Sequence, residues 1–160
     1  ALKDPAAAAA RFDAGLELLK KQPYVNKHQL GAVGYCFGGK VVLEAARRGE
    51  KLDGVVSCHG ALATQTPAKP GVVRADILVE HGAADSMVTD EQVAAFKAEM
   101  DAAKVNYQFV SIAGAKHGFT NPDADRLSHG AHGGPDIGYN KAADERSWAD
   151  MQAFFKKAFE

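Results

Sequence analysis

Cysteine is scarce in this sequence, with Cys36 and Cys58 the only two in 160 residues. A disulfide framework is thereby excluded as the source of stability, and a reducing, cytoplasmic setting is expected. Charge of one sign is lacking too, since 19 Lys and Arg stand against 20 Asp and Glu. A chain that neutralises several phosphates needs a cationic excess or a basic stripe, so no nucleic-acid partner is expected. The same mixture gives no hold on an anionic membrane. No apolar run is long enough to cross a bilayer, and the opening residues lack the charged, apolar and cleavage regions of a signal peptide. What remains is an ordinary globular mixture, 46% hydrophobic and 24% charged, in a length that suits one domain over residues 1–160.

The apolar pattern supplies an order of elements. Asp4 and Pro5 read as an N-cap and first helical residue, followed by Ala8, Phe12, Leu16 and Leu19 at helical spacing until Pro23. Residues 30–35 form a short apolar strand that runs into a glycine-rich turn, and a second helix follows through Val42, Ala45 and Ala46 to Arg48. Residues 55–59 and 77–81 are brief apolar runs that close in His-Gly, as buried strands opening into loops would. Thr89 with Gln92 makes a capping box for a helix carrying Val93, Phe96 and Met100, and residues 107–112 supply one more strand. A last helix over 142–159 places Trp148, Met151, Phe155 and Phe159 on one face, while residues 121–140 read as a loop. Strands separated by helices or long loops cannot pair as tight hairpins. The expectation is therefore an α/β fold, a mostly parallel sheet with helices on both faces.

In such a sheet reactive groups collect beyond the C-terminal ends of the strands, and Cys36 is at one. Gly34-Tyr35-Cys36-Phe37-Gly38 has the form of the nucleophile elbow G-x-S-x-G with sulfur in place of oxygen. The helix that starts after it aims free N–H groups at the sulfur, and the Phe37 N–H is a candidate oxyanion donor. A nucleophile needs a base, and the base an orienting group. His117 follows the last strand between Gly114 and Gly118, and Asp85 follows the strand that ends at His81. Nucleophile, acid, histidine is the chain order of the α/β-hydrolases.

Together with Val56-Ser57-Cys58-His59-Gly60 and His117-Gly118-Phe119-Thr120-Asn121-Pro122, these motifs make the chain resemble the dienelactone hydrolase family. The resemblance implies Cys36 as nucleophile, Asp85 as orienting acid, His117 as base, and hydrolysis of a small ester or lactone through an acyl-thioester. Neither a metal nor an organic cofactor is implied. Members of that family have further strands before the first helix, so a missing N-terminal segment or a second chain is expected to complete the sheet and to supply the second oxyanion donor. Asn121 stands where dienelactone-cleaving members carry an arginine for the substrate carboxylate, which leaves the dienelactone acid itself without its cation.

Blander roles compete at several positions. Cys58 reads as a small core hydrophobe. His59 and His81 read as hydrogen-bonding groups at the sheet's edge, with His59 and Phe119 also weak candidates for a substrate pocket. Tyr35 and Phe37 either line that pocket or pack under the sheet. His129, His132 and Asp136 could ligate zinc but lie in an irregular loop, and no metal is expected. Gly34 to Lys40 also fits G-x-x-x-x-G-K, with Glu80 imitating a magnesium-holding acid, yet Val41 lacks the hydroxyl a phosphate loop needs. The remaining alternatives are a redox-active thiol protein and a catalytically dead partner that retains the fold.

Overall fold

The computed structural model describes residues 4–128 and 134–160. Along the chain run α1 (Pro5–Lys20), β1 (Gly31–Tyr35), α2 (Phe37–Arg47), β2 (Gly54–Cys58), β3 (Asp76–Gly82), α3 (Asp90–Ala102), β4 (Tyr107–Ile112), α4 (Ala124–Ser128) and α5 (Lys141–Ala158). The strands form one parallel sheet in the order β1-β2-β3-β4. One row of that register, Tyr35, Cys58, Glu80 and Val110, lies close to the C-terminal ends of the strands.

Alternation along the strands divides the core into two layers. Val55, Ile77 and Val79 pack with Leu16 of α1, Val42 and Leu43 of α2, and Phe96 and Met100 of α3. Val56, Cys58 and Leu78 pack instead against Met151 and Phe154 of α5. All five residues of β2 are buried, as expected of a strand covered on both faces. The fold is the expected α/β sheet with helices on both sides. Caps end the helices where the sequence places them: the Asp4 side chain accepts from the Ala6 N–H, and that of Thr89 from the Gln92 N–H. Asn140 caps α5 in the same way, accepting from the Ala143 N–H at 3.1 Å.

Three local expectations need correction. Trp148 does not lie on the buried face of α5. It is 55% exposed, and Ala143, Ser147, Met151 and Phe154 face the sheet. That rotation follows from Gly31 and Gly54, where any Cβ would collide with the rings of Phe155 and Phe154, so these glycines make room for the two phenylalanines. Leu19 is likewise exposed, and Leu16 carries the buried contact of α1. Finally, residues 121–140 are not all loop. They contain α4, and Ile137 forms a parallel bridge to His117.

Arg47, at the end of α2, is a buried charge that periodicity does not reveal. Its guanidinium donates to Glu99 at 2.8 and 2.9 Å, to Glu44 at 3.0 Å and to the Leu62 carbonyl at 3.0 Å. Such a full set of partners is what makes a buried cation tolerable. It ties α2, α3 and the loop after β2 into one layer.

Candidate active site

The turn between β1 and α2 is tight. Cys36 has φ 53° and ψ −120°, a left-handed conformation that a residue other than glycine adopts only under strain. Its N–H is held by the Cys58 carbonyl at 3.0 Å and by His59 Nδ1 at 3.2 Å, while its side chain is exposed. A side chain at Gly34 would overlap the backbone of Gly38 and Gly39, so this glycine is what lets α2 start so close to β1. Gly34→Ala is accordingly expected to destabilise the fold by about 3 kcal/mol, at the upper end of overpacking effects, measured by urea unfolding.

Two loops deliver the partners of Cys36. His117 follows β4 and is buried, with its Nε2 3.1 Å from Cys36 Sγ and its Nδ1 2.9 Å from Asp85 Oδ2. Asp85 follows β3, and its Oδ1 accepts from the Met87 N–H at 2.9 Å. With Asp85 ionised, Nδ1 carries the proton toward the carboxylate and Nε2 faces the sulfur. The hydrogen bond to Asp85 raises the His117 pKa to about 9, against the opposing effect of burial. Burial alone would raise Asp85, but its bonds to His117 and Met87 bring it below the usual carboxylate value. His117 is also fixed from behind, by the Ile137 bridge and by the Gly138 N–H donating to its carbonyl at 3.1 Å.

His59 stands next to this line and is not part of it. Its Nδ1 accepts from the Cys36 N–H, so the ring proton sits on Nε2 and is donated to Thr120 Oγ1 at 2.8 Å. Burial lowers its pKa to about 4 and keeps it neutral, the state that this acceptor role requires. Its ring meets those of His117 and Phe119 edge-on, at 5.1 and 5.2 Å. His59 thus matches the backbone-bonding expectation, while Thr120, 61 residues away in sequence, gave no signal of its part.

Other expectations fare differently. Phe119 is fully buried against Ile112, Ala115 and Ala143, and so supports the site from beneath instead of lining a pocket. Tyr35 and Phe37 are both partly exposed, at 41% and 38%, which removes packing under the sheet as their role. The Phe37 N–H, at the first position of α2, is one of the donors a helix leaves free. His81 rests its ring on Phe109, and its buried Nδ1 has no partner among the described residues, contrary to the expected bond to loop backbone. Cys58 is buried, and burial pushes its thiol up to about 12.

The phosphate-loop alternative fails on geometry. Glu80 is fully buried, in the register row with Cys58 and under α5, whereas Lys40 lies in a groove between α1 and α2 on the opposite face of the sheet. His129 and His132 lie outside the described residues. Asp136 is engaged elsewhere, with Lys116 at 2.6 Å and Ser86 at 2.8 Å. Among the described residues no helix is long and apolar enough to cross a membrane.

Comparison with known proteins places the chain in a family. A Caenorhabditis elegans protein, K02A2.1, is 38% identical over 152 residues, covering 93% of this chain and 92% of its own. Among solved structures, P91, a dienelactone hydrolase-like promiscuous phosphotriesterase from metagenomic libraries, is 36% identical with a TM-score of 0.86. That match covers 98% of this chain and 64% of P91. A protein named m3DLH is 37% identical with a TM-score of 0.85, over 97% of this chain and 62% of its own. The chain thus spans a little under two thirds of these two solved proteins. The model of the dienelactone hydrolase family matches residues 2–159, and the chain belongs to that family.

Proposed function

We propose that this protein hydrolyses small esters or lactones, with Cys36 as nucleophile, His117 as general base and acid, and Asp85 as its orienting group. The observation that carries the reading is the line from sulfur to imidazole to carboxylate, 3.1 Å and then 2.9 Å, contributed by three loops at the C-terminal ends of the strands. Membership of a hydrolase family supports it.

In the first half-reaction the proton shared by Cys36 Sγ and His117 Nε2 rests on the imidazole, whose pKa is raised to about 9, and Cys36 Sγ attacks the carbonyl carbon. The carbonyl electron pair moves onto oxygen, where the Phe37 N–H can receive it, a kind of contact worth about 10²–10³ in rate. Collapse breaks the ester C–O bond, and the departing alkoxide takes the proton from His117, leaving an acyl-thioester on Cys36. In the second half a water gives its proton to His117 and attacks the thioester. The tetrahedral adduct then expels the sulfur and releases the acid. Asp85 holds the imidazole in the one tautomer that can serve both halves.

A nitrophenyl ester mixed rapidly with the protein should release a burst of nitrophenol, and intact mass should show one acyl group on Cys36, removable by hydroxylamine. Undiminished turnover in Cys36→Ala, with no acyl adduct in the parent protein, would overturn the assignment.

A further inference from the structure

Resting on the hydrolytic reading, we propose that the groove between α1, α2 and the loop after β2 receives an extended acyl chain ending in an anionic group, with Lys40 as its counter-charge. The groove has a volume of about 690 Å³ and includes Phe37, the neighbour of the candidate nucleophile, in its wall. Ala6, Ala9, Val41 and Ala63 add apolar surface suited to methylenes. Lys40 lies one helical turn beyond Cys36, whose carbonyl accepts from the Lys40 N–H at 3.4 Å. That turn advances about 6 Å along α2. A chain attached at the sulfur can therefore follow α2 and bring its far end to the lysine.

The other charges of the groove are already engaged. Arg48 pairs with Asp13 at 2.8 Å and lies 3.8 Å from Glu50. Glu44 accepts from Arg47 at 3.0 Å and from the Thr66 hydroxyl at 3.2 Å. Lys40 has no ion pair or side-chain hydrogen bond among the described residues, and it is only partly exposed. A cation at an apolar wall with its nearest acid taken selects an anion from solution. Lys40 is also the part of the G-x-x-x-x-G-K motif that the nucleophile elbow does not use. A carboxylate and a phosphonate share the required chemistry.

The test labels Cys36 with maleimides whose arms of one, three or five methylenes end in a carboxylate, a phosphonate or a neutral methyl group. The buried Cys58 is checked by mass. The acid-to-neutral rate ratio should rise with arm length and exceed that of Lys40→Gln by about fivefold at the longest arm. It should persist in Lys40→Arg and shrink in high salt. The better of the two anionic arms identifies the group preferred. A ratio independent of arm length, or unmoved by Lys40→Gln, overturns the proposal. Labelling needs no hydrolysis, so selective labelling without ester turnover supports the groove and removes the hydrolytic reading. Ester turnover without selective labelling removes the groove alone.

Discussion

Asp85→Asn is expected to lower kcat for ester turnover by about 10³–10⁴-fold, a loss of about 4–5 kcal/mol of transition-state stabilisation. The carboxylate does two things that an amide cannot do together. It accepts only, so His117 must present its proton on Nδ1 and leave Nε2 open to the sulfur 3.1 Å away. An asparagine can turn its NH₂ toward Nδ1, keep the Met87 N–H on its oxygen, and trap the imidazole with its proton facing Cys36. In that tautomer the ring cannot take the thiol proton. The carboxylate also raises His117 to about 9, and removing it lets the imidazole fall back toward its ordinary value. The imidazolium protonates the leaving alkoxide and is lost as pH rises through that pKa. The alkaline limb of the kcat profile should therefore stand near pH 9 in the parent and move down in the variant. A kcat within tenfold of the parent's, with the alkaline limb unmoved, would remove Asp85 from the reaction.

How far such a site can be read before the chain is folded depends on whether its parts announce themselves locally. Cys36 does, because glycines flank it within one turn. His117 and Asp85 do so more weakly, as polar residues that each follow an apolar run. What joins them is the parallel order of four strands, and that order follows from the helices and long loops between the runs. Contacts without local periodicity stay hidden. The Arg47 to Glu99 pair spans 52 residues, and the His59 to Thr120 bond spans 61. Trp148 misleads for a related reason. Hydrophobicity places it on the inner face of α5, but which face turns inward is decided by space in the sheet, at Gly31 and Gly54, 117 and 94 residues earlier in the chain. Glu80 misleads as well, since an acid in an apolar run suggests a ligand site while the register buries it under α5.

That buried acid gives the largest expected effect on stability. Both carboxyl oxygens of Glu80 are inaccessible and have no hydrogen-bond partner among the described residues. Burial, reinforced by Asp150 and opposed by Arg146 on α5, pushes its pKa up to about 8. The neighbouring Cys58 thiol, itself raised to about 12, stays neutral over the same range. The folded protein therefore holds a proton on Glu80 that the unfolded chain has released, from about pH 4.5 to about pH 8. Protons bound by the native state are lost as pH rises, so stability falls across that window, by up to about 1.4 kcal/mol per pH unit. Glu80→Gln keeps the shape and removes the titration. Its stability relative to the parent should rise by about 3–5 kcal/mol between pH 4.5 and pH 8 and level off above. Glu80→Leu, which also removes the unpaired polar atoms, should show the same slope from a higher starting point. Urea unfolding at half-unit steps of pH measures both. Curves that run parallel to the parent's through the whole window would mean that the carboxyl is ionised in the folded protein and that a partner for it exists beneath α5.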